Sequence, residues 1–215
     1  MKRLSDSQIR DHYENFMSEI LLRLKFIEAH LDFVRSLGRV DGALFIAEAC
    51  YLQFRRICEL VTLACLIAHN GHKGFDTRKL SKEWNAATLA KLLNELSYSS
   101  LPYSGIKPLD GEDRVFFLRR YDTNDFKKFI MSVYNDCSDK LHIGNVGSIF
   151  GKPKKLSFRY VNNTFKEFVE RLDQHIIVLP DDEALCIEMH FERGGPVWCQ
   201  WYRDAVKDAP NQPPT

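Results

Sequence analysis

The most constraining feature of the chain is a single apolar stripe near its start. Ile9, Tyr13, Phe16, Ile20, Leu24, Ile27, Leu31 and Val34 recur at spacings of three and four, so one helical face stays apolar for more than seven turns. Ser5 or Ser7 can cap the start, and Gly38 stands where such a helix should end. At 1.5 Å per residue the helix is roughly 40 Å long, enough to span a whole domain. A stripe of that length must be covered by an equally long partner, which favours a mainly α bundle.

The partner is the next segment. After a turn at Gly38–Gly42, a second long helix is expected from Ala43 to His69, with Ile46, Cys50, Gln53, Ile57, Leu60, Val61, Ala64 and Ala68 as its main face. From Leu60 onward it is apolar nearly all round, which predicts a central position. Asn70-Gly71-His72-Lys73-Gly74 breaks it. Ser81 should cap a third helix carrying Trp84, Ala87, Leu92, Leu93 and Leu96. Residues 97–122 read as irregular, with a short strand at Val115–Leu118. A fourth helix should follow Thr123, with Phe126, Phe129, Ile130, Val133, Cys137 and Leu141 inward, running into His142. A fifth is expected from Asn163 to His175.

The pattern then changes. Ala184–Glu192 and Val197–Tyr202 are rich in β-formers and flank Arg193-Gly194-Gly195-Pro196, the signature of a hairpin. The chain divides into a helical bundle at 1–178, a C-terminal β-hairpin at 179–205 on the same core, and a disordered tail at 206–215.

Composition excludes more than it identifies. Thirty basic and twenty-nine acidic side chains leave a net charge of +1, so no global field favours nucleic acid or an anionic membrane. Lys152-Pro153-Lys154-Lys155 is the one local basic run, read as a solvated loop. Neither a secretory signal nor a run of about 20 apolar residues is found, so a cytoplasmic location is expected. The six cysteines do not form a disulfide pattern; Cys50, Cys58 and Cys65 fall on one helical stripe as small core residues. No phosphate-binding glycine loop or nucleophile elbow occurs. Cys186, His190 and Cys199 could converge as metal ligands on the hairpin, but no Cys-x-x-Cys or His-Glu-x-x-His spacing supports them. No metal or other cofactor is expected.

Two polar constellations remain. In the second helix, Arg55, Arg56 and Glu59 lie off the main apolar face, bordered by Leu52, Leu63 and Leu66. They form either an ordinary ion pair one turn apart or a partly buried cluster lining a groove, where losing one partner would cost about 3–5 kcal/mol. At the end of the fourth helix, Asn135, Ser138, Asp139 and His142 project opposite the apolar stripe, and a histidine beside a carboxylate can act as general base. Asn135, Asp139, Lys140 and Asn145 are candidate binding residues. Arg55, Arg56, Glu59 and His142 are candidate catalytic residues, expected around one groove between the two helices.

Tyr51-Leu52-Gln53-Phe54-Arg55-Arg56-Ile57-Cys58-Glu59-Leu60, together with Cys137–Gly144 and its Leu-His-x-Gly, resembles signatures of uncharacterised bacterial and phage-associated proteins. Leu172-Asp173-Gln174-His175-Ile176, leading into the hairpin, extends the likeness over most of the chain. More distantly the set is similar to the HEPN superfamily of four- to five-helix bundles. Many of these are dimeric RNases of toxin–antitoxin and phage-defence systems, with an Arg-x4–6-His motif at a shared groove. This chain departs from that motif: seven residues before His142 stands Asn135, and no arginine falls in the window.

The resemblance therefore implies a HEPN-like, non-catalytic dimeric module that binds a protein partner in a bacterial defence, toxin–antitoxin or mobile-element setting. One alternative is a metal-independent RNase using His142 with Arg55 or Arg56, and RNA as ligand. Another is a structural or regulatory subunit without ligand. The fifteen phenylalanines are more than a small bundle readily hides, which also favours a homodimer.

Overall fold

In a computed structural model of the chain, the described residues are 4–37, 42–70, 101–106, 118–119, 123–141, 156–179 and 183–202. They form four helices and five strands: α1 (Asp6–Leu37), α2 (Ala43–Ala68), β1 (Tyr103–Ile106), β2 (Leu118–Arg119), α3 (Thr123–Leu141), α4 (Phe158–Leu172), β3 (Gln174–Val178), β4 (Ala184–Glu188) and β5 (Trp198–Tyr202). The described fold is mainly helical with a small antiparallel sheet, ordered β2-β1-β3-β4-β5.

The long stripe behaves as its spacing requires. Ile9, Tyr13, Ile20, Leu24, Ile27 and Leu31 are buried, joined by Met17, while Phe16 is half-buried. Ser5 is the capping residue: Gln8 N donates to its hydroxyl at 3.3 Å, and Ser5 N donates back to Gln8 Oε1 at 3.0 Å. That reciprocal pair satisfies two donors a helix start otherwise leaves open. α1 runs for 32 residues, Asp6–Leu37, within the limits that Ser5 and Gly38 set in the sequence. α2 lies antiparallel against it, and from Leu60 to Ala68 all but Leu63 and Ile67 are buried. Leu4 N donates to the buried Asn70 side chain at 3.2 Å, tying the start of α1 to the end of α2.

α3 and α4 close the bundle through rings. Phe168 of α4 stacks on Phe54 of α2 at 5.6 Å and meets Phe129 of α3 edge-on at 4.9 Å. α4 begins earlier and ends sooner than its apolar spacing suggested. Ser157 caps it by accepting from Tyr160 N at 3.3 Å, and the β-branched run Ile176-Ile177-Val178 takes residues 174–178 into a strand. His175, expected at the helix end, therefore lies in β3.

The expected hairpin exists as β4 and β5, but it is part of a wider sheet. β3 pairs with β4 along five residues, so the division at 178/179 falls between hydrogen-bonded strands. Gly194 and Gly195 carry the left-handed backbone that the β4–β5 link needs, with φ of 68° and 139°. The predicted third helix, most of the Val115–Leu118 strand, the 152–155 basic run and the tail lie outside the described residues. Among those described, no helix is long and apolar enough to cross a membrane.

Bundle and sheet are locked by one buried polar contact. His175 Nδ1 lies 2.8 Å from the Leu172 carbonyl oxygen, which can only accept, so Nδ1 carries the proton. Nε2 then accepts from the Tyr13 hydroxyl at 2.8 Å. Both side chains are almost fully buried, and burial lowers the pKa of His175 from 6.5 to about 4. Protonation thus favours the unfolded chain. The contribution is intact above pH 6.5 and is lost as pH falls from 6.5 to 4, amounting to about 3 kcal/mol at most. Urea unfolding at pH 7 and pH 4.5 should show wild type losing about 2 kcal/mol more than His175→Gln; equal losses would contradict this role.

Candidate functional site

The charged cluster of α2 sits at its seam with α3. Arg55 and Glu59 are one turn apart, and Arg55 Nε donates to Glu59 Oε1 at 3.3 Å. Arg56 Nη1 donates to the other carboxylate oxygen at 2.8 Å. Glu59 thus holds both arginines. Its side chain is 17% exposed, against 30% for Arg55 and 58% for Arg56. The carboxylate is the inner member and the guanidinium groups form the rim.

Sequence reasoning missed the residue that completes this cluster. Tyr134 of α3 is buried, its ring lies 5.3 Å from the Arg55 guanidinium, and its hydroxyl accepts from Arg55 Nη2 at 3.4 Å. The signal was present in the spacing: Tyr134 follows Ile130 by four residues and precedes Leu141 by seven, at the edge of the inward stripe. The antiparallel packing of α2 and α3 is fixed again one turn on, where the Cys58 thiol approaches the Ile130 carbonyl at 3.6 Å.

That register sets where the described residues of the second constellation lie along α2. Pairing of Arg55 with Tyr134 and of Cys58 with Ile130 places the C-terminal turn of α3 beside the first half of α2. Asp139 and Lys140 are thereby about 14 Å along the helix axis from the level of Glu59. Asn135 is close in level but exposed, about a quarter-turn around the helix from Tyr134. Asp139 is exposed and Lys140 half-buried. His142 and Asn145 lie outside the described residues. The structure brings together Arg55, Arg56 and Glu59, and adds Tyr134.

A second polar cluster lies on the α4 side of α3. Tyr160 stacks on Tyr51 at 5.1 Å, and its hydroxyl donates to Asp136 at 3.3 Å. Burial, with Cys137 and Asp136 nearby, drives the Tyr160 phenol well above its ordinary range, so it stays a neutral donor. Cys137 is pushed up to about 12 by burial first and Asp136 second, and burial takes Cys50 to about 11. These thiols remain protonated at neutral pH and make poor nucleophiles.

The hairpin does not assemble a ligand set. Cys186 pairs with Gln200 and Ile187 with Cys199, so the two cysteines occupy opposite faces of the sheet. His190 spans the turn instead, with Nδ1 donating to the Pro196 carbonyl at 3.0 Å and Nε2 3.2 Å from Glu188. Among the described residues no group of three His, Cys, Asp or Glu side chains is placed to hold a metal ion.

No protein-family model, curated protein or solved structure matches the chain.

Because both arginines reach solvent, loss of Glu59 leaves them hydratable. Glu59→Ala should cost about 1–2 kcal/mol in urea unfolding, below the 3–5 kcal/mol of a fully buried charge left alone. A loss above 3 kcal/mol would place the cluster deeper than described.

Proposed function

We propose that the chain is a HEPN-like, non-catalytic dimeric helical module that binds a protein partner in a bacterial defence, toxin–antitoxin or mobile-element setting. The observation that carries the non-catalytic part is the sharing of Glu59 by Arg55 and Arg56. RNA cleavage needs a general base and a cation that stabilises charge developing at the phosphate. A carboxylate bound to both guanidinium groups cancels much of their field and repels a phosphate that approaches them. The sequence before His142 has no arginine in the motif window, so these two are the candidate cations within the proposed site. Their use for partner recognition is cheaper, since a paired, rigid Arg–Glu cluster can exchange hydrogen bonds with another protein without large desolvation.

The alternative of a metal-independent RNase draws support from Arg56, whose side chain is more than half exposed at the rim. In that reading His142 would take the 2′-hydroxyl proton and Arg56 would face the phosphate. The experiment is incubation of the purified full chain with tRNA and total RNA, alone and with candidate partner proteins. The expected result is no cleavage above background, and none gained in Glu59→Gln. Cleavage by wild type that disappears in His142→Ala would establish the RNase reading instead.

A further inference from the structure

α1 carries a second apolar stripe, on the side away from the core. Leu22, Phe26, Ala29 and Phe33 follow one another at spacings of four, three and four, the repeat that forms a seam between packed helices. All four are exposed, Leu22 at 71% and Phe33 at 48%. α2 adds Phe45, at 71%, and Leu52. The hydrogen bond from Arg23 Nη1 to Gln53 Oε1, at 2.6 Å, sets the antiparallel register and brings Phe45 and Leu52 alongside the segment from Leu24 to Leu31. The stripes of the two helices are therefore centred at one level, near the middle of Leu22–Phe33.

The geometry points to this α1–α2 face as the surface on which a second copy of the chain docks, α1 lying antiparallel across α1 of its partner. The inference rests on the dimeric part of the proposed function and supplies its interface. Three features select a second copy over an unrelated partner. The first is area: at about 200 Å² for a fully exposed large side chain, the five large apolar residues present about 500 Å². A standard interface removes about 800 Å² per partner, some 60% of it apolar, which is about the same quantity.

The second feature is symmetry. Two stripes centred at one level are superposed on themselves by a twofold axis through that level, as an isologous contact requires. The third is charge. Lys25 and Asp32, seven residues apart, flank the stripe on one side with opposite signs. An antiparallel partner sets each Lys25 opposite Asp32 of the other copy, on the same flank of the stripe. Lys25 bonds Glu28 at 3.0 Å and lies over the Phe191 ring, and Asp32 bonds Arg35 at 2.8 Å. Lys25 is still 42% and Asp32 64% exposed, so both can turn to a partner.

Light scattering on the full chain at about 50 µM tests the inference, together with a cross-link at the axis. Wild type should have twice the 25.0 kDa chain mass. The Leu22→Glu, Phe26→Glu double variant should halve that mass while keeping its helical circular dichroism, since both positions face solvent. Ala29→Cys should form an intermolecular disulfide on oxidation, while the buried native cysteines do not. A wild-type monomer would overturn both the dimeric reading and this interface. A double variant that stays dimeric, or an Ala29→Cys protein that does not cross-link, would overturn the interface and leave the dimer itself intact.

Discussion

The inner stripe of α1 leaves water only by lying against surfaces as long as itself, and the described fold follows from how those surfaces are supplied. α2 covers one flank and the strands of the terminal sheet the other, with Tyr13 reaching His175 between them. The stripe alone does not decide between a pure bundle and a bundle with a sheet. The buried Tyr13–His175 hydrogen bond does part of that work, because a slip of α1 along the sheet would leave a buried hydroxyl and a buried imidazole nitrogen unpaired, at about 1–3 kcal/mol each. Apolar packing gives the helices their adhesion, and this one polar contact helps fix their register.

The charged residues obey the same economy. Nothing about Arg55, Arg56 and Glu59 requires a substrate to explain their position: two arginines hold one half-buried carboxylate at the mouth of a helix seam, and a tyrosine hydroxyl accepts from one of them. The energetic signature is modest because solvent reaches the cations. Burial instead holds His175, Tyr13 and the core thiols neutral.

Much of this was legible in the residues. The stripes of α1 and α2, the inward face of α3 and the terminal hairpin follow from spacing, because one periodicity dominates each. The limits of α4 were not legible: Phe165, Phe168 and Leu172 carry the helical period, but so does the Ile176-Ile177-Val178 run until its strand partners are known. β1 was missed for the same reason, since Tyr103–Ile106 has no local signal and is a strand only by pairing with β3 on one side and β2 on the other. The cluster of Arg55, Arg56 and Glu59 was visible from its spacing within one helix. The spacing of Tyr134 marks its place beside the inward stripe, but its contact with Arg55 was not visible, because it depends on a register between helices almost eighty residues apart. The outer stripe of α1 was legible only as an excess of phenylalanine, until the inner face had been assigned.

The central claim is that α1 carries two apolar faces, one folding the chain and the other joining it to a second copy. The thermal midpoint of the unmodified protein, measured over a hundredfold range of concentration, tests it directly. If folding is linked to association, the midpoint should rise by several degrees across that range, since mass action adds about 2.7 kcal/mol for a hundredfold increase. A midpoint independent of concentration would contradict it and leave the outer face of α1 without a role in the folded state.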